Sequence, residues 1–132
     1  MATITRITTP SLASVLPNPS ANKITGLLAG EALTVGDACY IKSDGKVWKS
    51  VGAAANAAAK VDGWCLVAAA VGDGVTLLFD VNIEYAAGMT PGARLYLSAT
   101  AGLLDDAATT GGTAPVAFVI DATRIRALQS RY

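Results

Sequence analysis

The sequence predicts an all-β protein in which two similar hairpin units follow an extended N-terminal arm. Three observations support this fold class. From residue 23 onward, short apolar or alternating runs are separated by Gly, Asp-Gly and Pro-Gly turns, as in a series of short strands. Two of these stretches resemble each other at an offset of 56 residues. The first 22 residues hold three of the five prolines and fit neither a helix nor a central strand.

Residues 1–22 form the predicted arm, and residues 23–132 form the predicted domain, whose length suits a single folding unit. Fully stretched, about 20 residues reach ~65 Å, which exceeds the diameter of such a domain. A disordered tail is one interpretation, but a solvated tail has no need of large apolar side chains. We therefore expect the arm to bind a partner or a neighbouring protomer through Ile4, Arg6, Ile7, Leu12, Val15 and Leu16.

The predicted strands of the domain are the apolar runs between turn residues. The last of them alternates clearly, since Ile125 lies between Arg124 and Arg126. The strands are predicted at residues 23–29, 38–42, 46–50, 63–69, 75–85, 94–98, 103–105, 116–121 and 123–128.

Turn residues mark the ends of these strands. Ser-Asp-Gly-Lys at residues 43–46 is a strong hairpin signal, because Asp-Gly accepts the positive φ angles of a type I′ turn. Gly-Asp-Gly at 72–74 and Thr-Pro-Gly at 90–92 indicate further turns. The alanine-rich run at 53–59 favours helix by propensity but is too short to sustain one. We expect a loop or one irregular turn there.

The internal repeat pairs residues 33–41 with residues 89–97. In both copies an apolar residue and Thr precede a Gly turn, and a tyrosine, Tyr40 or Tyr96, lies four positions after that Gly. A hairpin follows each time. Chance similarity between two hairpins is the alternative, but a β-unit used twice would let each half supply one wall of a common core.

The composition predicts a thin hydrophobic core. Apolar residues make up 52% of the chain, but many of them are alanine and only eight residues are aromatic. Alanine buries little area, so the core contributes less than the percentage suggests. Burial against another subunit is the usual compensation, and we therefore expect the protein to bind copies of itself.

The charge distribution argues against nucleic acid as a partner. Ten basic and ten acidic residues give a net charge of zero, whereas phosphate contacts need an excess of Lys and Arg. Residues 61–121 carry seven acids against one arginine, while both ends of the chain are basic. We predict that Arg124, Arg126 and Arg131 contact an acidic surface on a neighbouring copy or a larger partner, with solvated surface as the alternative.

The residue types argue against catalysis. The chain has no histidine, which excludes Ser-His-Asp and Cys-His sites and removes the commonest metal ligand. Cys39 and Cys65 lie 26 positions apart in apolar runs and are interpreted as buried small hydrophobic residues. The adjacent acids Asp105 and Asp106 are interpreted as turn residues. We expect no enzyme, no cofactor and no metal site.

The sequence also gives an expectation for location. It does not open with a secretory signal, and no apolar run approaches the ~20 residues that span a bilayer. We therefore expect a soluble protein made in the cytoplasm, with no membrane partner.

A set of short elements between residues 26 and 128 carries a family resemblance. These elements are Gly-Glu-Ala-Leu at 30–33, Gly-Asp at 36–37, Tyr-Ile at 40–41, Ser-Asp-Gly-Lys-Val at 43–47, Gly-Met-Thr-Pro-Gly-Ala at 88–93, Leu-Tyr-Leu-Ser at 95–98 and Ala-Thr-Arg-Ile at 122–125. Together they resemble the capsid decoration proteins, or cement proteins, of tailed bacteriophages. The resemblance covers nearly the whole predicted domain and consists mostly of turn sequences.

This resemblance implies a small β-barrel or β-tulip-like domain behind an extended arm. It implies a structural virion protein on the outer surface of the capsid, made in the host cytoplasm and commonly present as a homotrimer at three-fold positions. The implied partner is the major capsid protein, and the implied function is to stabilise, or cement, contacts between neighbouring capsid subunits. The family offers no catalytic residues to transfer.

Two other functions stay open. A head-fibre or tail component of a virion would use similar β-modules. A glycan-binding β-module is the alternative from a different class, because Trp48 lies between Lys46 and Lys49, just beyond the Asp-Gly turn, and could serve as a stacking platform. Packing within the fold is the simpler interpretation of both Trp48 and Trp64.

Overall fold

The computed structural model describes residues 3–13 and 22–130. These ranges contain short strands and one 3₁₀ turn, which confirms the predicted all-β class. The strands are β1 (Ser11–Leu12), β2 (Lys23–Leu28), β3 (Asp37–Ile41), β4 (Val47–Lys49), β5 (Gly63–Cys65), β6 (Gly74–Leu78), β7 (Val81–Glu84), β8 (Arg94–Leu97), β9 (Leu104–Asp105), β10 (Ala117–Val119) and β11 (Arg124–Ala127), and the 3₁₀ turn is Ala57–Ala59.

The strands form two antiparallel sheets that share one topology. The five-stranded sheet has the order β2-β6-β5-β3-β4, and the six-stranded sheet has the order β1-β7-β11-β10-β8-β9. Strands β2–β6 make the first half of the domain and β7–β11 make the second half. In each half, the strands lie in the order first, fifth, fourth, second, third. This confirms the internal repeat and extends it from two hairpins to two complete five-stranded units.

Bridges link the outer strands within each sheet. In the first half Ala29, directly after β2, forms a parallel bridge to Val47 of β4. In the second half Thr3 forms an antiparallel bridge to Asp105 of β9, while β1 of the same N-terminal segment pairs with β7. Sheets joined in this way are curled, and the fold is barrel-like, as expected.

Two hydrophobic clusters form the core. The larger one combines Trp64 of the first half with the inward side chains of the second half, among them Tyr85 and Ile125. Trp64 and Tyr85 pack edge to face, with ring centroids 6.4 Å apart. The smaller cluster lies within the first half, around Cys39 and Leu77. The larger cluster is therefore also the interface between the halves.

Two predicted strands differ from the observed ones. The predicted strand 75–85 is divided into β6 and β7 by a turn at residues 79–80, where Asp80 has a φ of +52°. Asp tolerates this left-handed conformation better than most residues do, and no Gly or Pro announces the turn. The predicted strand 63–69 is too long, because β5 ends at Cys65 and a loop follows.

The hairpin between β3 and β4 forms where it was predicted, but with a different turn. The Lys42 N–H donates to the Lys46 carbonyl (3.0 Å), and the Gly45 N–H donates to the Lys42 carbonyl (2.9 Å). Gly45 has a φ of +79°, whereas Asp44 does not have a positive φ. The connection is therefore a three-residue loop with a bulge at the glycine, and the predicted type I′ turn is wrong.

The alanine-rich run forms a loop with a single 3₁₀ turn, as expected. The Asn56 side chain begins this turn by accepting a hydrogen bond from the Ala58 N–H (3.0 Å). A polar cap of this kind satisfies a backbone N–H, which an alanine side chain cannot do, and the extended backbone at Lys60 ends the turn after three residues.

Candidate binding surfaces

The described part of the predicted arm, residues 3–13, is extended but lies along the domain of its own chain. The Ile4 N–H donates to the Leu104 carbonyl (2.8 Å) at one edge of the six-stranded sheet. The Ala13 N–H donates to the Asn82 carbonyl (2.7 Å) at the other edge. We term these residues the N-terminal segment. It joins both edges of the sheet, whereas the predicted arm would extend away from the domain.

The chain on both sides of residues 14–21 is anchored at one turn. Ala13 is bonded to Asn82, and the Asn22 carbonyl accepts a hydrogen bond from the Phe79 N–H (3.1 Å). Phe79 and Asn82 flank the turn between β6 and β7. These bonds hold residues 3–13 against the domain, so this part of the chain does not extend outward as a free arm with a reach of ~65 Å would.

Arg6 forms a buried ion pair within the chain. Its Nη1 lies 3.0 Å from Oδ1 of Asp37, and the two side chains are 12% and 3% exposed. The second carboxylate oxygen accepts a hydrogen bond from the Thr34 N–H (2.7 Å) and lies 3.9 Å from Nζ of Lys49. The guanidinium thus compensates a carboxylate that is almost completely removed from water.

The Tyr85 side chain, close to Arg6, is fully buried. Its hydroxyl lies near the Arg6 guanidinium and the Leu104 backbone, without a hydrogen bond of regular geometry to either. Burial raises the pKa of Tyr85, and the charge of Arg6 acts in the opposite direction. The tyrosine is therefore neutral at pH 7.

The other residues predicted to contact a partner differ in their positions. Ile7 is half-buried along the domain, and Leu12 is 38% exposed in β1. Val15, Leu16 and Arg131 lie outside the described residues, so their contact role stays a prediction.

Arg124 and Arg126 lie on the outer face of the six-stranded sheet, because alternation in β11 places Ile125 inside. Neighbouring strands add two side chains to this face, since Phe118 pairs with Arg126 on one side and with Arg94 on the other. Phe118 is 42% exposed. We term Arg94, Phe118 and Arg126 the Phe118 face. An exposed aromatic ring between two arginines is typical of protein-binding surfaces.

The two predicted basic residues of β11 have different partners. Nε of Arg124 lies 2.7 Å from Oδ2 of Asp121, whose other oxygen accepts backbone N–H groups of the same turn. These hydrogen bonds lower the pKa of Asp121 to about 2. Arg126 instead donates to the Asn82 side chain (3.1 Å). Neither Arg94 nor Arg126 forms a salt bridge within the part of the chain that the structure describes.

A second exposed surface lies on the first half. Residues 66–72, between β5 and β6, form a loop that we term the apolar loop. Val67 and Val71 of this loop are 76% and 67% exposed, and Leu28, in the adjoining strand β2, is 49% exposed. Large apolar side chains exposed together mark interaction surfaces. This loop is the strongest candidate contact surface of the first half.

Sequence reasoning missed the apolar loop because it extended β5 too far. The run Leu-Val-Ala-Ala-Ala-Val at residues 66–71 has no polar residue, which is also typical of a buried strand. In the structure the Cys65 thiol donates to the Val67 carbonyl (2.8 Å), and Leu33 forms a bridge to Ala69. These contacts take the chain off the sheet and leave the valines exposed.

No group of three or more Cys, Asp or Glu side chains that could hold a metal ion occurs in residues 3–13 and 22–130. Cys39 and Cys65 are both buried and not disulfide-bonded. Burial raises the pKa of both thiols. A protonated thiol is a poor nucleophile, so this pair is suited to packing rather than chemistry.

The Trp48 side chain makes contacts within its own chain. Its Nε1 donates to the Asp44 carboxylate (3.2 Å), and Nζ of Lys42 lies over the indole, 4.3 Å from the ring centre. A methyl group at Gly30 would overlap the indole, so the ring packs directly on that backbone. A sugar stacked on Trp48 would have to displace Lys42.

Comparisons with known proteins provide no relative for this domain. The chain matches no protein-family model, and neither a curated protein nor a solved structure is significantly similar to it. The helical structure in the described ranges has neither the length nor the hydrophobicity to cross a membrane.

Proposed function

We propose that this protein is a structural virion protein that binds the outer surface of a bacteriophage head and cements contacts between major capsid subunits. Its partners in this proposal are the major capsid protein and further copies of itself, as in a homotrimer. The sequence resemblance to capsid decoration proteins supports the capsid as partner. The barrel-like all-β fold is compatible with that family's architecture.

The observation that carries the proposal is the apolar loop. Val67 and Val71 expose most of their surface to solvent. A monomer gains nothing from placing them in water, whereas burial of each valine against a partner contributes about 1.5 kcal/mol or more. The loop therefore fits the role of the capsid contact.

The test is binding to bare phage heads that lack decoration. We expect the purified protein to cosediment with the heads and to appear as ordered knobs in electron micrographs. The double substitution Val67→Asp and Val71→Asp should weaken binding about 100-fold, since it removes about 3 kcal/mol of apolar burial. Ala108→Asp, in an exposed loop of the second half, is the matched control and should bind normally.

Two results would contradict the proposal. The first is the absence of any binding to heads by a folded protein. The second is equal binding by the valine variant and the control, which would remove the apolar loop from the interface. Glycan-array binding that is lost in Trp48→Ala, without capsid binding, would favour the glycan-binding alternative instead.

The predicted contact role of the arm needs an experiment of its own. Deleting residues 1–20 would remove the N-terminal segment, which is bonded to the domain, so lost binding could reflect lost folding. Replacing Val15 and Leu16 with serine leaves that segment intact. If residues 14–21 contact the capsid, this variant should melt like the natural protein and bind heads more weakly.

A further inference from the structure

Each half of the domain has an equivalent sheet face, but the surroundings of that face differ between the two halves. In the first half, Ala38 pairs with Trp64 and Trp64 pairs with Leu78. This row of side chains, which we term the Trp64 face, belongs to the larger core and is covered by the second half. Trp64 is fully buried there, and its Nε1 donates to the Leu128 carbonyl (2.9 Å).

The Phe118 face occupies the same position in the second half. Arg94 pairs with Phe118 and Phe118 pairs with Arg126, which repeats the register of the Trp64 face strand by strand. Within the described residues no element covers it, and Phe118 stays 42% exposed. A surface that the fold covers in one half is thus left open in the other.

We propose that the Phe118 face binds the first half of a second copy of this chain. The surface that it would bind on that copy corresponds to the part of the second half that covers the Trp64 face. This deepens the self-association that forms part of the proposed function and rests on it. The contact would continue, between chains, the packing that already joins the two halves within one chain.

The internal interface identifies which surface would bind. Two parts of the second half contact the Trp64 face: Gly102, in the β8–β9 turn, accepts a hydrogen bond from the Ala38 N–H (3.2 Å), and Leu128, after β11, accepts one from Trp64. The corresponding parts of the first half are the β3–β4 turn, at Asp44-Gly45, and Asp80, two residues after β6.

Each of these positions carries an acid that would face an arginine. In the equivalent arrangement the β3–β4 turn, with Asp44, would lie against Arg94, the counterpart of Ala38. Asp80 would lie against Phe118 and its neighbour Arg126. Both acids are on exposed residues; of the two exposed lysines that flank Asp44, Lys42 lies over the Trp48 ring and Lys46 directly precedes the next strand. An acid that faces an arginine at each of the two positions favours this docking.

The proposed contact joins two different surfaces, so it is heterologous. Such a contact generates a closed ring when the rotation between copies closes, and an open chain when it does not. A ring would also bury the Phe118 ring of every copy, which adds apolar contact that a single chain does not make.

Sedimentation velocity in the absence of capsids tests the proposal. The natural protein should sediment as a species heavier than its 13.3 kDa chain. Arg94→Glu should weaken self-association at least about tenfold, and Phe118→Ala should do so as well. Ala108→Asp, which also adds negative charge to an exposed loop of the second half, lies outside both proposed surfaces and is the control, expected to associate normally.

A double charge reversal in one chain tests the pairing itself. Asp44→Lys alone should also weaken association, and the double variant Asp44→Lys with Arg94→Glu should recover it, because the reversed charges then match at every contact of a ring of any size. Circular dichroism melting verifies that each variant is folded. A monomeric natural protein at the highest soluble concentration would overturn the proposal, as would full association of both Arg94→Glu and Phe118→Ala.

The two proposals fail in different ways. The valine variant of the apolar loop should lose capsid binding and keep self-association, whereas Arg94→Glu should lose self-association first. If Arg94→Glu associates like the natural protein but no longer binds heads, the Phe118 face is a capsid contact and the self-docking proposal is wrong.

Discussion

Replacing Arg6 with alanine should destabilise the domain far more than replacing an exposed arginine. The Arg6 side chain is 12% exposed and its partner Asp37 is 3% exposed, so the substitution leaves a buried carboxylate without its closest cation. Removing one partner of a buried ion pair costs about 3–5 kcal/mol when nothing else compensates the other. A single hydrogen bond to a charged group contributes about 1.5–3 kcal/mol.

The remaining neighbours of Asp37 reduce this cost. The Thr34 N–H at 2.7 Å and the Lys49 ammonium at 3.9 Å still face the carboxylate in the variant. We therefore expect Arg6→Ala to lower the free energy of unfolding by about 2–3 kcal/mol. For a domain of this size the melting temperature should fall by about 8–12 °C.

Urea unfolding followed by tryptophan fluorescence measures this effect, because Trp64 becomes exposed on unfolding. Arg124→Ala is the matched control. Its ion pair with Asp121 lies at the surface, where solvent screens it, and should contribute little to stability. Asp37→Asn and the double variant complete a cycle that isolates the Arg6–Asp37 coupling. The reasoning is refuted if Arg6→Ala costs no more than Arg124→Ala, or if the coupling energy is zero within error.

Two further predictions concern the first half. Gly30→Ala should destabilise the domain by about 1–3 kcal/mol and shift the fluorescence of Trp48, because the added methyl group overlaps the indole; unchanged stability and emission would contradict this. Burial raises the pKa of Cys39 and Cys65 above the ordinary value of 9.0, so the folded state favours the neutral thiols. Their contribution to stability should be complete below pH 9 and lost as the pH rises from there, because the unfolded thiols then ionise. Urea unfolding at pH 7, 9 and 10.5 measures the decline, and native-state alkylation at pH 7 should be slow for both thiols.

Local turn chemistry explains why most strands and the repeat were predictable. Gly36 and Gly92 have φ angles of +91° and +84°, so both copies of the repeat need glycine at the same point for the same conformational reason. A signal of this kind is contained in a few neighbouring residues. The β6–β7 turn at Asp80 lacks it, and there the predicted strand ran through the turn.

The position of the N-terminal segment depends on contacts that no local pattern reveals. Thr3 pairs with Asp105, and Arg6 reaches Asp37. A proline-containing stretch with scattered apolar residues has the same sequence pattern whether it binds a partner or its own sheet. The alternation correctly placed Arg126 on an outer face, but whether that face is covered depends on the packing of whole sheets.

The composition around two equivalent aromatic residues does contain the missing information. Trp64 has Ala38 and Leu78 beside it on the neighbouring strands, and it is buried. Phe118 has arginines on both sides, and it is exposed. Once the repeat is aligned over all five strands, this difference in neighbours separates the covered face from the open one.

The two halves also protect their equivalent outer strands in different ways, and this leads to a last prediction. In the first half, β2 has a register shift between Ile24 and Leu27, with Gly26 at a φ of +78°, which interrupts its outer edge. In the second half, β7 pairs regularly along its length with β11, and its outer edge is covered by β1 instead. Flat, uncovered edges pair with other chains.

Removing residues 1–12 should therefore expose the β7 edge and cause aggregation, visible as light scattering at temperatures where the natural protein stays clear. The full-length Arg6→Ala variant is the control, because it is destabilised but keeps β1 on the edge. If it scatters as strongly as the truncated chain at matched unfolded fractions, instability alone explains the aggregation. If the truncated chain alone scatters, the N-terminal segment protects the β7 edge of the second half. The register shift in β2 would then have the same role in the first half, since both prevent an open strand edge from pairing with another chain.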